Sequence, residues 1–337
     1  MSGLLHDFPA VRRARFLVTG GGGFIGSNIV SHLCEAGAVV RVLDDFSSGK
    51  RANLADDDVE ILEGDVRDPA TTRRAVEGMD FVLHQAAIPS VPRSVERPRA
   101  SHDVNVTGTI NVLLAARDAG VRRVVLASSS SVYGESEILP KHEGLLPSPV
   151  SPYAANKISV EHYAAAFRAV YGLQSVALRY FNVFGPRQDP ESAYAAVIPR
   201  FIASALAGAP IHIFGDGEQT RDFTFVTNVV RANVAACFAP NAPGNVINIA
   251  TGRRSSIRGI AECVIRLTGS HSEIRFEPVR TGDILHSWAS IEKAVALLGY
   301  APWVSLDEGL ERTIEWHREQ HRLPPRAEPE AVAPLIS

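Results

Sequence analysis

Apolar positions in the first half of the chain follow two alternating rhythms. Short β-rich runs, "RFLVTG" (15–20), "AVVRVLD" (38–44), "VEILEGDV" (59–66), "DFVLHQAA" (80–87) and "RRVVLASS" (122–129), are separated by stretches with helical spacing. The clearest of these is "FIGSNIVSHLCEAG" (24–37), where Ile25, Ile29 and Leu33 recur at i, i+4 and i+8 before Gly37 ends the run. Another helix is predicted to start where Asp68 can cap it and Pro69 suits its first turn. Longer helices are predicted over 98–119 and 153–171. Strand and helix in strict alternation imply an α/β fold, a doubly wound parallel sheet with helices on both faces.

Beyond residue 180 the rhythm loosens, with Pro and Gly in "NVFGPRQDP", "LAGAPIHIFGDGEQ" and "APNAPGN". The expected division is therefore a main sheet domain over 14–180 and a smaller α/β region over 181–322, some of whose segments return to the sheet. The end, "LPPRAEPEAVAPLIS" (323–337), is rich in Pro, Ala and Glu and reads as a disordered tail. No internal repeat is visible.

Composition narrows the chemistry. The 337 residues are 45% hydrophobic and 21% charged, enough for a real core, and the net charge of −3 supplies no basic field for nucleic acid. Cys34, Cys237 and Cys263 lack CxxC spacing, which speaks against a zinc site or a disulfide framework. The 11 histidines form no HxxxH or HExxH, so no metal is expected, and His84 reads as a packed or capping side chain. No apolar stretch approaches the length of a membrane span, and "MSGLLHDFPAVRRARF" has no secretory pattern, so a cytoplasmic protein without a membrane partner is expected.

The first candidate site lies in "VTGGGGFIGS", where Gly20, Gly23 and Gly26 follow a strand and open a helix. Glycines there let the backbone turn tightly and approach a pyrophosphate, which the helix N-terminus favours. A glycine pattern alone is weak evidence. Asp44, at the end of the next strand, strengthens it, because a carboxylate there can accept both ribose hydroxyls of a dinucleotide. The same charge repels the extra phosphate of NADP, so this Rossmann arrangement is expected to take NAD. Asp65 and Val66, ending the third strand, are placed to flank the adenine, although a lone strand-end Asp is more often a turn former.

The second candidate site is "SPYAANKISVEHY", which sets Tyr153 and Lys157 four residues apart on one face of a helix. Taken alone, such a pair is ordinarily a solvated surface feature. After a dinucleotide fold and a serine strip at a strand end, it reads as catalytic machinery. A phenol of pKa ~10 needs help to act as a base at neutral pH, and a neighbouring ammonium and a cationic nicotinamide both favour the phenolate. Ser129 would orient the reacting hydroxyl.

With these residues the chain resembles the extended short-chain dehydrogenase/reductases, the NAD-dependent sugar-nucleotide epimerase/dehydratases, over about 14–315. The likeness rests on "TGGGGFIGS", "LDDFSSGK", "GDVRD", "HQAA", "SSSSVYG", "SPYAANK", "RYFNVFGPRQDP", "AYAAVIPRF", "FGDGEQTRDF" and "RTGDILHSWA". Within that family it most resembles the UDP-hexose and UDP-N-acetylhexosamine 4-epimerases. The resemblance adds Phe24, Ile25, Asp45, Gly49, Gln85, Ala86, Ala87, Asn105 and Tyr180 to the expected cofactor contacts. It implies a mechanism in which Tyr153 removes the 4-OH proton while C4 gives hydride to NAD+, the flat 4-keto sugar turns over, and hydride returns to its other face.

The resemblance also explains the four serines in a row. Dehydratases of the family follow the catalytic hydroxyl with an Asp-Glu pair, and UDP-glucuronate decarboxylases carry a glutamate two positions after it; here those positions are Ser130 and Ser131. Without a carboxylate to divert it, the ketone can only be reduced again. For the substrate, the resemblance implies Asn182 at the sugar or phosphate, Arg221 and Arg280 on the diphosphate, Asp283 on a ribose hydroxyl, and Val197 and Phe214 around the uracil. Two arginines suit a diphosphate because the guanidinium fork binds phosphate oxygens in pairs.

Ser287 stands where epimerases restricted to plain hexoses tend to carry tyrosine, which leaves room for a 2-acetamido group and favours UDP-GlcNAc/UDP-GalNAc, alongside UDP-Glc/UDP-Gal. Ser90 fits a polar wall near the sugar, whereas Pro89 departs from the glycine of the N-acetyl-preferring members. UDP-glucuronate 4-epimerases share the serine strip, but Gln188 is followed here by Asp189, which would repel a carboxylate. A non-catalytic NAD-sensing module is the alternative of another class. The family's usual pairing through helices beside the catalytic Tyr implies a homodimer through about 98–119 and 153–171.

Overall fold

The computed structural model describes residues 4–189, 196–279 and 285–322. In chain order the elements are β1 (Arg15–Thr19), α1 (Phe24–Glu35), β2 (Val39–Asp44), β3 (Glu60–Glu63), α2 (Pro69–Val76), β4 (Phe81–His84), α3 (Val91–Glu96), α4 (Pro98–His102), α5 (Gly108–Asp118), β5 (Arg123–Ser129), α6 (Pro152–Tyr171) and β6 (Ser175–Tyr180). There follow β7 (Val183–Phe184), α7 (Val197–Leu206), β8 (Ile211–Phe214), β9 (Thr220–Arg221), β10 (Thr224–Phe225), α8 (Val226–Phe238), β11 (Val246–Ile249), β12 (Ser255–Ser256), α9 (Ile257–Thr268), β13 (Ile274–Glu277), β14 (His286–Ser287), α10 (Glu292–Leu298) and α11 (Leu306–Arg322).

Seven strands make one parallel sheet in the order β11-β6-β5-β4-β1-β2-β3. Side chains alternate between its two faces. Phe16, Val18, Phe81 and Leu83 pack under α1 and α8, while Leu17, Val82, Val124 and Leu126 pack under α2, α5 and α6. Burial on both sides is why these strands read as unbroken apolar runs. The chain leaves β1 for β2 on one side, and β4 lies on the other. This reversal opens a crevice at the carboxyl ends of β1 and β4, the usual ligand position in such sheets.

Two expected elements differ. The helix expected over 98–119 is interrupted: α4 stops at His102, a π-helical turn spans Asp103–Thr107, and α5 follows. In that widened turn Asn105 faces inward, accepting from the Ile88 N–H (2.7 Å) and donating to the Ile88 carbonyl (3.2 Å). The third strand ends at Glu63 rather than 66, because Asp65 caps a turn by accepting from the Arg67 N–H at 2.8 Å. Asp68 does cap α2, accepting from the N–H groups of Ala70 and Thr71, with Pro69 in the first turn.

Past β6 the chain builds a smaller body around Ile198, Phe201, Ile202, Ile211, Ile213, Ile260 and Leu310, supplied by α7, β8, α9 and α11. Strands of two residues form small sheets of their own: β9 lies between β12 and β14, and β10 pairs with β7. In between, α8 and β11 go back to the main core, β11 as the edge strand beside β6. The segment 323–337, read as a disordered tail, lies outside the described residues.

Candidate active site

The glycine loop joins β1 to α1 with no room to spare. Gly20 has φ +68°, and a Cβ on it would lie 2.7 Å from the Ala86 nitrogen; a Cβ on Gly26 would lie 2.1 Å from the Gly20 carbonyl oxygen. Gly23 is the N-cap of α1, which begins with Phe24 and Ile25, the latter packed against the main core. Asp44 is buried, and each of its oxygens is fixed by a backbone donor: Gly22 N–H to Oδ2 and Phe46 N–H to Oδ1, both 2.8 Å. Burial raises its carboxyl pKa, opposed by those two hydrogen bonds. Gly49 packs so close that a Cβ would be 3.1 Å from Asp44 Oδ2. Asp45 instead turns outward onto Ser47.

The remaining expected cofactor residues split into two sets. Ala86 and Ala87 follow β4 beside Gly20, with Ala86 N–H donating to Thr19 Oγ1 (3.3 Å). Gln85 and Tyr180 are engaged with one another and with Asn233: Gln85 Nε2 donates to Asn233 Oδ1 at 3.1 Å and Tyr180 Oη to the same oxygen at 3.0 Å. Asp65 is paired with Arg67, which lowers its pKa. Val66 is buried beneath Gly108. His84 is fully packed, Nδ1 on Thr19 Oγ1 (2.7 Å) and Nε2 on Thr109 Oγ1 (2.9 Å), and burial drives its pKa down to about 3.

Ser129 ends β5, and its hydroxyl accepts from the Ser131 N–H at 3.2 Å. Across from it, Ser151 caps α6 and Pro152 takes the first position, so Tyr153 enters in the first turn, its N–H held by Ser94 Oγ at 3.0 Å. Lys157, one turn on, is buried; its Nζ donates to the Ala127 carbonyl at 2.7 Å and lies 5.8 Å from the Tyr153 ring centre. Burial lowers the Lys157 pKa to about 8, opposed by Glu161. Burial lifts the Tyr153 phenol to about 12, opposed by a hydrogen bond with Ser129. Among the protein's own groups, desolvation therefore outweighs the Ser129 hydrogen bond at this phenol.

Ser129 pairs in register with Tyr180 of β6, and two residues later the chain reaches Asn182, whose φ of +32° is unusual for a side-chain-bearing residue. Asn182 Nδ2 donates to the Asp222 carbonyl at 3.0 Å. From there opens a cavity of about 270 Å³ lined by Asn182, Val197, Phe214 and Arg221, with Gln219 and His212 among its other walls. Four of the expected substrate residues thus meet in one place. Ser287 is adjacent, paired with Arg221 between β14 and β9. Ser131 Oγ is buried and makes no hydrogen bond among the described residues; Ser130 shares its turn. Ser90 caps α3, accepting from the Arg93 N–H at 3.2 Å. Arg280 and Asp283 lie outside the described residues.

A family model described as "NAD dependent epimerase/dehydratase family" matches residues 16–250. The chain belongs to this family. It is 40% identical over 312 residues to a UDP-glucose 4-epimerase of Mycolicibacterium smegmatis, covering 91% of this chain and 99% of that one. A UDP-N-acetylglucosamine 4-epimerase from Methanobrevibacter ruminantium, solved with UDP-N-acetylmuramic acid, superposes with TM-score 0.87 at 38% identity, covering 91% and 99% of the two chains. The UDP-glucose 4-epimerase of Thermus thermophilus, solved with NAD, gives TM-score 0.83 at 38% identity over 90% and 99%.

NAD is the family's cofactor, and the residues here fit it. The glycine loop leaves a cradle that a single Cβ would fill, and Asp44 is held rigidly beside it. Among the described residues no group of three or more His, Cys, Asp or Glu could hold a metal, and no helix is long and apolar enough to cross a membrane.

Several residues that shape the site were assigned no role from the sequence. Asp222 is fully buried; it accepts from the N–H groups of Thr251 (2.8 Å) and Gly252 (3.0 Å), which sets the chain behind Arg221. Asn28 donates to the Pro186 carbonyl at 3.1 Å, and Arg187 to the Ser27 carbonyl at 2.9 Å, seating the loop after β7 on α1. These pairs are more than 150 positions apart in sequence for Asn28 and Arg187, so spacing cannot reveal them.

Proposed function

We propose that this family member is a UDP-sugar 4-epimerase, interconverting configurations at C4 through a 4-keto sugar. The observation that carries the reading is the convergence of Ser129, Tyr153 and Lys157 at the sheet's carboxyl edge, next to a cavity holding Asn182 and Arg221. NAD, when bound, takes up the C4 hydride and gives it back. Tyr153 Oη takes the proton of the 4-hydroxyl and later returns one. Ser129 orients that hydroxyl, and Lys157 places a positive charge behind the phenol, which favours its anionic form.

Support for epimerisation over elimination or decarboxylation comes from Ser130 and Ser131, which put hydroxyls where those reactions need carboxylates. The orphan hydroxyl of Ser131 is available to a sugar oxygen. Arg221 would bind the diphosphate, and Val197 and Phe214 the uracil. Arg280 on the diphosphate and Asp283 on the ribose remain part of the reading from the family resemblance.

For the sugar we favour UDP-GlcNAc/UDP-GalNAc together with UDP-Glc/UDP-Gal, because Ser287 next to Arg221 leaves room for an acetamido group. Asp189 counts against a uronic acid only through the family resemblance: it lies on the loop after β7 with its carboxylate paired to Lys50 at 3.2 Å. A cytoplasmic homodimer is the working form we expect. The test is turnover of UDP-GlcNAc, UDP-Glc and UDP-GlcA measured side by side with NAD content. Conversion of the first two supports the reading; exclusive conversion of UDP-GlcA corrects the substrate, and bound NAD with no turnover of any sugar turns the assignment to an NAD-sensing module.

A further inference from the structure

Three consecutive residues at the end of β5 each hold one turn of α6. Ser129 meets Tyr153, the Ala127 carbonyl accepts from Lys157 Nζ at 2.7 Å, and Ser128 Oγ donates to Glu161 Oε1 at 2.5 Å. Tyr153, Lys157 and Glu161 are spaced i, i+4 and i+8, so they form one stripe along the helix. The first two rungs belong to the catalytic centre; the third has no chemistry of its own.

That third rung is the most heavily braced. Glu161 is 7% exposed and Arg179 is 3% exposed. Arg179 lies on β6 directly beside Ser128 and gives Glu161 two bonds, Nε to Oε1 at 2.8 Å and Nη2 to Oε2 at 2.7 Å. Its guanidinium stacks on the Tyr133 ring at 4.7 Å, and Tyr133 Oη donates to Asn248 Oδ1 of β11 at 2.7 Å. A buried ion pair is a poor way to gain stability, since apolar side chains of the same volume would do as well. What it does supply is direction: a carboxylate with three fixed donors can sit in only one register against the strands.

We propose that Glu161, fixed by Ser128 and Arg179, is a positioning residue that sets the register of α6 on β5, and with it the placement of Tyr153 and Lys157 against Ser129. The inference rests on the catalytic centre proposed above. The titratable and charged groups around Lys157 are Glu161 and Tyr153 on its own helix, His84 on β4, and Arg179 on β6, whose charge Glu161 neutralises; His84 and Tyr153 are neutral near pH 7. Glu161 acts on Lys157 against burial, in the direction that favours the ammonium.

The test compares Ser128→Ala, Ser128→Thr and Glu161→Gln with the unsubstituted protein, reading kcat, KM, bound NAD and the pH profile of kcat. Ser128→Ala is expected to lower kcat by about tenfold to a hundredfold with KM and NAD content held, and Ser128→Thr to restore it. Glu161→Gln is expected to lower kcat further and to move the alkaline limb to lower pH, a shift that Ser128→Ala does not produce. If Glu161→Gln does not fold, the Ser128 pair decides. Unchanged kcat in Ser128→Ala, or a loss that only tracks the fraction of protein without NAD, overturns the proposal. Tyr153→Phe is run alongside: full turnover in it overturns the catalytic reading, whereas its loss with Ser128→Ala intact overturns the positioning role alone.

Discussion

The two ends of the cleft are built by opposite means. At the proposed cofactor end the surface is mostly backbone, contributed by the seven residues Gly20 to Gly26 and by Ala86 after β4, with the Asp44 carboxylate held beside it. At the substrate end the cavity is walled by side chains drawn from residues 182–184, 196–201, 212–223 and 257, and its segments are joined through strands only two residues long. A backbone surface at contact distance accepts no added atom. A side-chain surface changes one residue at a time, so selectivity for the sugar can vary while the cofactor site stays as it is.

Substitutions can break that contrast or sharpen it. The largest effect is expected at the seam between the two ends, where Tyr153→Phe should cut kcat by about 10²- to 10⁴-fold with NAD still bound, measured by turnover and by the absorbance of extracted cofactor. Next is Gly26→Ala. Its methyl carbon would meet the Gly20 carbonyl at 2.1 Å, so the protein should lose NAD and about 1–3 kcal/mol of stability, read by thermal unfolding.

On the other side of the contrast, Arg221→Ala should raise KM by about 10- to 100-fold and leave NAD binding alone, because one charge-assisted contact to phosphate is removed. Ser287→Tyr should turn the preference from N-acetylated towards plain hexoses by about tenfold, read as the ratio of kcat/KM for the two substrates. Retained selectivity in that variant would place the discriminating wall elsewhere.

The smallest effect concerns His84 of β4, whose ring is held between Thr19 of β1 and Thr109 of α5. Its pKa falls from 6.5 to about 3 in the folded protein, so between those values the unfolded chain binds a proton that the fold excludes. Its contribution to stability is complete above pH 6.5 and is lost as pH falls towards 3. His84→Asn should therefore flatten the acid side of the stability profile, measured by denaturant unfolding across that range.

The glycine loop and its neighbouring acid were legible in the sequence because their determinants are local. Glycine positions, helix start and strand-end acid all lie within one β-α-β stretch, and the alternation of apolar residues on Phe16, Leu17 and Val18 announces a sheet buried on both faces. The interruption at Asp103–Thr107 was not legible, because Asn105 answers to a backbone segment 17 residues away rather than to its neighbours. Likewise the hydrogen bonds that tie Gln85 and Tyr180 to Asn233 join residues that no spacing links.

The sequence by itself determined the doubly wound class, the glycine loop with Asp44, and the helical stripe that carries Tyr153 and Lys157, since each depends on periodicity or on neighbours a few residues apart. Only the tertiary structure decided which strand residue each turn of α6 rests on, how Asp222 seats Arg221, and how deeply the Tyr153 phenol is desolvated. Burial and long-range hydrogen bonds arise from what the fold brings alongside, and that information is not carried by spacing along one chain.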